Sequence, residues 1–283
     1  MTTPRPQDPP LIEMENVNLQ FEEAWALRDI SLTLNPGETR IIFGSAGSGK
    51  TTLLKAVIGL VAVDSGEINL FGEDVTKLKE QQLYPLRSRA GFLFQEGGLF
   101  DSLRVGENVE YPLVNQTSGG ETQQLSAADR ERHVRETLRF VELEQTYEKF
   151  PSELSGGMRR RVGIARAIVT EPRLVLYDSP TAGLDPITAN IIMALIAKER
   201  DTRNTASLIV THRYQDGELM ADFRYNAETE DLVPVSADEQ TDPIRARTKF
   251  MVMKEGEIVF LGTKHELEQN SDSYVKRFVR HEE

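Results

Sequence analysis

The chain has 283 residues, 39% of them hydrophobic and 28% charged, with a net charge of −12. That length buries a sizeable core, either one large domain or a core with a subdomain, while the acidic balance disfavours non-specific attraction to nucleic acid or anionic lipid. Cysteine is absent, which excludes disulfides and thiolate metal sites, and the longest apolar stretch, within Ala56–Val63, falls far short of the roughly 20 residues a membrane span needs.

Residues 1–10 are rich in proline and lack an apolar h-region, so they read as a disordered tail and not as a secretory signal. Leu11–Phe21 and Leu27–Leu34 alternate as strands before the turn Asn35-Pro36-Gly37. The apolar run Arg40–Phe43 leads through a glycine-rich loop into a helix expected from Thr51 to Gly59. Short strands are expected at Glu67–Phe71 and Ala90–Phe94. From Val105 to about Ile168 the pattern becomes helical and charged, with a polar loop at Asn115–Glu121 and a capping signal at Ser126–Asp129. Two buried-looking runs follow, Arg173–Asp178 and Ala206–His212, separated by a helix from Pro186 to Glu199. Apolar strands alternating with helices imply an α/β fold with a mostly parallel sheet covered on both faces. Residues 222–247 are acidic and prolyl, a surface excursion, and Phe250–Leu261 reads as a hairpin.

The loop Gly44-Ser45-Ala46-Gly47-Ser48-Gly49-Lys50-Thr51-Thr52 matches G-x-x-x-x-G-K-[ST] at every defined position, in a strand, loop, helix context. Its glycines free the backbone for conformations that a Cβ forbids, so successive N–H groups can curl around an anion while the helix adds its positive end. Lys50 is then placed to neutralise the β- and γ-phosphates and the Thr51 hydroxyl to ligate Mg²⁺. The bland alternative is a glycine-rich turn before a helix. Asp178, at the end of a buried strand, supplies a carboxylate to the same metal region, and ligands in such sheets sit at the carboxyl ends of strands.

Leu154-Ser155-Gly156-Gly157-Met158, about twenty residues before that strand, makes the chain resemble the ATP-binding cassette (ABC) ATPases, whose signature is LSGGQ. The resemblance covers nearly the whole chain. It implies a P-loop core at 11–88 and 167–265 with an antiparallel β part, a helical subdomain at 89–166 and a helical tail at 266–283. It also implies ATP and Mg²⁺ as cofactors, Gln95 at the metal or attacking water, and His212 as the switch histidine at the γ-phosphate. Asp185 matches the D-loop, and Ser155, Gly156 and Gly157 complete the phosphate site of a second subunit. That subunit is a second copy of the chain or a paralogue. Phe21 sits where the family places an aromatic on adenine, with Trp25 as the alternative. His133, His265 and His281 carry no such context and read as surface residues.

The family follows the strand aspartate with a catalytic glutamate; here Ser179 stands there. A hydroxyl is a poor base, and a positioned acid/base group is worth typically about 10²–10⁴ in rate, so slow hydrolysis is expected. Three accounts remain open: weak hydrolysis with His212 and Gln95 holding water, replacement by Glu96 or another carboxylate, or pairing with a paralogue that retains the glutamate.

The run from Phe94 to Leu113 resembles the ATPases of Mla-type lipid transporters, which serve MCE-domain proteins. That likeness implies an integral membrane permease, an MCE-type partner, a phospholipid or similar cargo, and a place on the cytoplasmic face of the inner membrane, with no nucleic-acid partner. Leu99, Phe100, Val105 and Tyr111 are candidates for a groove that takes a partner's helix, or for subdomain core. Arg159-Arg160-Arg161 reads as a solvated or dimer-facing patch. The rival functions are an ATP-gated clamp with little hydrolysis and the ATPase of a polar-solute importer; a soluble protein acting on DNA or ribosomes is disfavoured by the acidic charge.

Overall fold

The computed structural model describes residues 9–95, 97–115, 125–236, 238 and 246–279. Most of the expected tail, Glu96, the polar loop beyond Asn115 and His281 therefore lie outside the described residues.

Three strands set the frame. β3 (Thr39–Gly44), β7 (Leu174–Asp178) and β8 (Ala206–Val210) are buried along their whole length, as nearly unbroken apolar runs require when both faces of a sheet are covered. They lie parallel in the spatial order β3, β8, β7. Beyond β3 comes β11 (Thr248–Lys254), also parallel, and then β12 (Glu257–Gly262), antiparallel to it. Beyond β7 comes β6 (Ala90–Leu93).

Side chains alternate across this sheet with period 2, so each strand feeds two cores. Ile41, Phe43, Val175, Tyr177, Ile209 and Phe250 enter one cluster, and Ile42, Leu176, Leu208, Val210 and Met251 the other. The first also takes in the apolar stripes of α3 (Val105–Asn115), α4 (Ala127–Phe140), α5 (Gly156–Ile168) and α6 (Pro186–Arg203). The second holds Leu53, Leu54 and Val57 of α1 (Lys50–Val57) and Leu83 and Leu86 of α2 (Glu80–Arg87) with the inner face of an antiparallel sheet, β1 (Ile12–Phe21), β2 (Ala24–Leu34), β4 (Ser65–Leu70) and β5 (Glu73–Asp74). Each such aliphatic side chain is worth about 1.5–3 kcal/mol on burial. Packing therefore fixes helices whose exposed faces are strongly charged, α4 above all.

Several expected boundaries move. β6 was assigned by position to the helical segment 89–166, but it pairs with β7 as an edge strand of the main sheet; a Cβ on Gly91 would lie 2.2 Å from the Ala167 carbonyl oxygen, so only glycine lets α5 pack this closely. The helical part begins at Val105. The 222–247 excursion carries a hairpin, β9 (Phe223–Asn226) with β10 (Asp231–Pro234). It is tied to α6 by the buried guanidinium of Arg200, which donates to the carbonyls of Met220 (2.6 Å) and Phe223 (2.9 Å) and pairs with Asp201 at 2.8 Å. Among the described residues the C-terminal tail holds the short helix Lys264–Glu268 and the 3₁₀ turn Val275–Phe278. Among the described residues no helix is long and apolar enough to cross a membrane.

Candidate functional site

Register decides where the motifs meet. Ile42 pairs with Val210, and Val210 with Asp178, so three adjacent strands release their loops at one level of the sheet's carboxyl edge. The glycine-rich loop leaves after Gly44, Ser179 follows Asp178, and His212 lies two residues past Val210.

The loop's shape depends on glycine where it turns into α1. Gly49, the N-cap, has φ +100°. A Cβ there would lie 2.0 Å from the Ala26 carbonyl oxygen, a clash with backbone that nothing flexible relieves. Lys50 is buried and folds back under the loop: its Nζ donates to the carbonyls of Gly44 and Ser45, both at 2.8 Å, and to Ser48 Oγ at 3.3 Å. Burial pushes the ammonium below its ordinary pKa, with Asp178 opposing. A cation beneath a loop of backbone N–H groups, at the positive end of a helix, is an anion site.

Thr51 Oγ1 donates to Asp178 Oδ2 at 2.9 Å. A hydroxyl and a carboxylate are hard oxygen donors suited to Mg²⁺, which keeps waters and is usually completed by phosphate oxygens. No group of three or more acidic, histidine or cysteine side chains able to cage a metal occurs among the described residues. Gln95 is exposed just beyond β6, on the far side of β7, with its carbonyl accepting from Arg160 Nη1.

Ser179 is buried with φ +54°; its N–H donates to the Val210 carbonyl at 2.9 Å and its Oγ to Asp178 Oδ1 at 3.3 Å. Partial burial and then the Lys50 charge push the His212 imidazole below its ordinary 6.5, with Asp178 pulling the other way. Both effects favour the neutral ring, which offers one N–H donor and one nitrogen acceptor. Phe21 and Trp25, 52% and 41% exposed, flank a cavity of about 250 Å³ lined by Gly47–Thr52. Both aromatics reach it, and the choice between them stays open.

The signature residues group elsewhere. Ser155 caps α5, its Oγ accepting from Met158 N at 3.2 Å, and Asp185 caps α6, accepting from Thr188 N at 3.0 Å and Thr188 Oγ1 at 2.6 Å. The hydrogen bonds from Thr188 hold the Asp185 carboxyl below its usual range. Thr188 also closes on Gly157, where a Cβ would approach its Cγ2 to 2.5 Å. No hydrogen bond among the described residues joins Ser155, Gly156 or Gly157 to the phosphate loop of the same chain.

One reading needs correction and two connectors went unforeseen. Of the groove-or-core candidates, Val105 is fully buried beside Val109 and is core, whereas Phe100 and Tyr111, with ring centroids 4.8 Å apart, line an apolar cavity of about 520 Å³ with Tyr84, Phe92 and Phe94. Leu99 is half-buried against the core. Arg160 is not solvated: at 8% exposure it donates to the carbonyls of Phe94 (3.4 Å), Gln95 and Ala182 (3.3 Å), joining the Gln95 turn to the approach of Asp185. A triplet of arginines gives no sign of which one turns inward. Asp216 was also missed. Fully buried on α7 (Tyr214–Asp222), it accepts from Thr181 Oγ1 and Thr211 Oγ1, both at 2.5 Å, joining the segment after Ser179 to the residue before His212; burial raises its carboxyl pKa. The other unforeseen contact, Tyr274 Oη with Ser45 N at 3.1 Å, reaches the loop from the C-terminal tail.

Comparison with known proteins identifies the family. The family described as "ABC transporter" matches residues 27–182. The "Methionine import ATP-binding protein MetN" of Corynebacterium efficiens is 36% identical over 263 residues, 93% of this chain and 64% of the relative, so the chain spans less than two thirds of that protein's length. The "Intermembrane phospholipid transport system ATP-binding protein MlaF" of Haemophilus influenzae is 34% identical over 232 residues, 81% of this chain and 85% of the relative. The solved dimer of the ATP-binding cassette MJ0796 in a post-hydrolysis state with ADP and Pi superimposes with a TM-score of 0.71 at 28% identity, covering 89% of this chain and 98% of that one.

Proposed function

The chain belongs to the ABC transporter family of ATPases, and from that premise we propose that it is the subunit that turns ATP binding and hydrolysis into movement of a membrane permease, with phospholipid or another hydrophobic molecule as cargo. The observation that carries the proposal is the convergence of Lys50, Thr51, Asp178 and His212 at one edge of the sheet. In this reading the loop from Gly44 to Thr52 holds the triphosphate, with Lys50 on its β- and γ-oxygens. Thr51, Asp178 and Gln95 hold Mg²⁺, which would neutralise charge that develops on the phosphates. His212, neutral, orients the γ-phosphate or the attacking water. Phe21 or Trp25 stacks on adenine.

Among the described residues Ser155 and Asp185 serve as helix caps and Gly157 packs on Thr188, while the MJ0796 cassette to which the chain is similar was solved as a dimer. We therefore assign these residues to the phosphate site of a second copy or of a paralogous subunit. The half-open apolar cavity bounded by Phe100 and Tyr111 is the surface assigned to the permease.

The MlaF likeness supports a lipid cargo, and the MetN likeness supports a second reading, import of a small polar solute. Purification of the tagged chain from membranes of its own cell, with mass spectrometry of co-purifying proteins and bound lipid, separates them. An MCE-domain protein and phospholipid support the first reading; a solute-binding protein without lipid supports the second. ATP turnover equal in the intact chain and in Lys50→Ala would refute both.

A further inference from the structure

The peptide unit between Gly44 and Ser45 is held at both ends. Its carbonyl accepts from Lys50 Nζ at 2.8 Å, and its N–H donates to the hydroxyl of Tyr274 at 3.1 Å. That hydroxyl also contacts Ser45 Oγ at 3.1 Å and donates to the Met253 carbonyl at 3.0 Å. One O–H donated and two hydrogen bonds accepted use a phenol's full capacity. The hydroxyl is thus a fitted bracket between the loop and the end of β11.

Tyr274 is itself held firmly, although it lies 229 positions from Ser45 in sequence. Asp272 Oδ1 accepts from the N–H groups of Tyr274 (2.7 Å) and Val275 (3.0 Å), and Val275 is fully buried. Phe278 meets the Tyr274 ring edge-on at 5.2 Å and stacks on Phe43 at 6.0 Å with planes 9° apart. Phe43 is the residue before Gly44. The segment therefore grips the strand that launches the loop and the loop's first peptide together.

We propose that Tyr274 is a positioning residue for nucleotide binding: its hydroxyl fixes the Gly44–Ser45 peptide, whose carbonyl anchors Lys50, so that this one hydroxyl sets the readiness of the phosphate loop. This rests on the phosphate-binding reading given above. Removing the hydroxyl frees one end of a peptide whose flanking glycine, at φ +155°, restrains it little. Lys50 then loses a fixed anchor, and ordering the loop must be done at the expense of binding.

The test compares the intact chain with Tyr274→Phe, which keeps the ring and its packing, and with Phe278→Leu, which loosens the same segment but keeps the hydroxyl. The probe is MgADP, titrated calorimetrically well below the melting temperature. For Tyr274→Phe the Kd rises about fivefold, the worth of one ordinary hydrogen bond, with the melting temperature nearly unchanged. For Phe278→Leu the melting temperature falls and the Kd stays within twofold. Equal Kd values for the intact chain and Tyr274→Phe overturn the proposal alone, as does a Kd loss in Phe278→Leu as large as in Tyr274→Phe, which would make the segment a mere structural prop. An intact chain that binds no MgADP overturns the phosphate-loop reading beneath it.

Discussion

Ser179→Glu tests the largest departure from family chemistry. The backbone accepts the change: φ at Ser179 is +54°, and Glu22, Glu142, Glu171, Glu230 and Glu255 already adopt φ between +50° and +59° in this chain. The strand-end hydrogen bond is also kept, because it runs from the Ser179 N–H to the Val210 carbonyl. Only the 3.3 Å contact of Ser179 Oγ with Asp178 Oδ1 is lost, worth about 1 kcal/mol at most. Against that, a positioned carboxylate adds about 10²–10⁴ in rate, or about 3–5 kcal/mol off the barrier. The neighbouring Asp178 would raise the new carboxyl's pKa, which makes it a better base. The assay is steady-state phosphate release at saturating MgATP, with Lys50→Ala,Ser179→Glu as the blank. A gain of at least tenfold is expected; turnover within threefold of the unmodified chain would show that no base is missing and that another group already does the work.

Lys50→Ala removes a cation that makes three hydrogen bonds under the loop. With charge-assisted bonds worth about 1.5–3 kcal/mol, the Kd for MgATP should rise about 10- to 100-fold, and an unchanged Kd would contradict the role given to Lys50. For His212 the folded pKa lies below 6.5, so the unfolded chain takes up the proton first; its contribution to stability is complete above pH 6.5 and is lost as pH falls through the folded value. His212→Gln should therefore flatten the urea-unfolding free energy just below pH 6.5, and an identical slope in both proteins would count against this account. Arg160→Ala strands the carbonyls of Phe94, Gln95 and Ala182, costing about 1–3 kcal/mol in urea unfolding. Arg160→Lys should recover less than half, because a point charge cannot span the same three acceptors; full recovery by lysine would reduce Arg160 to a charge.

Much of this site was legible in sequence because its parts are local: a loop matched residue by residue, a strand that ends in Asp178, and two helix starts at Ser155 and Asp185. The parts that stayed hidden are the ones made by packing. β8 lies between β3 and β7 although it follows both in sequence, and only that order brings His212 between the loop and Ser179. Arg160, Asp216 and Tyr274 have ordinary sequence surroundings, and each gains its meaning from acceptors or donors supplied by distant backbone and hydroxyl groups.

The hidden residues share one physical logic. A loop at the end of a strand has no ladder partner to fix it, and a site built from several loops needs each held relative to the others. Asp216 ties the segment after Ser179 to the approach of His212, Arg160 ties the Gln95 turn to the approach of Asp185, and Tyr274 ties the phosphate loop to the end of β11. Two of these ties are made by charged groups buried in the interior, where an unpaired charge is costly and a shifted partner is felt at once. Any displacement of one of these loops therefore strains a bond to its neighbour. The sheet supplies the common floor, and each of these three cross-links holds one loop against a neighbouring element above it.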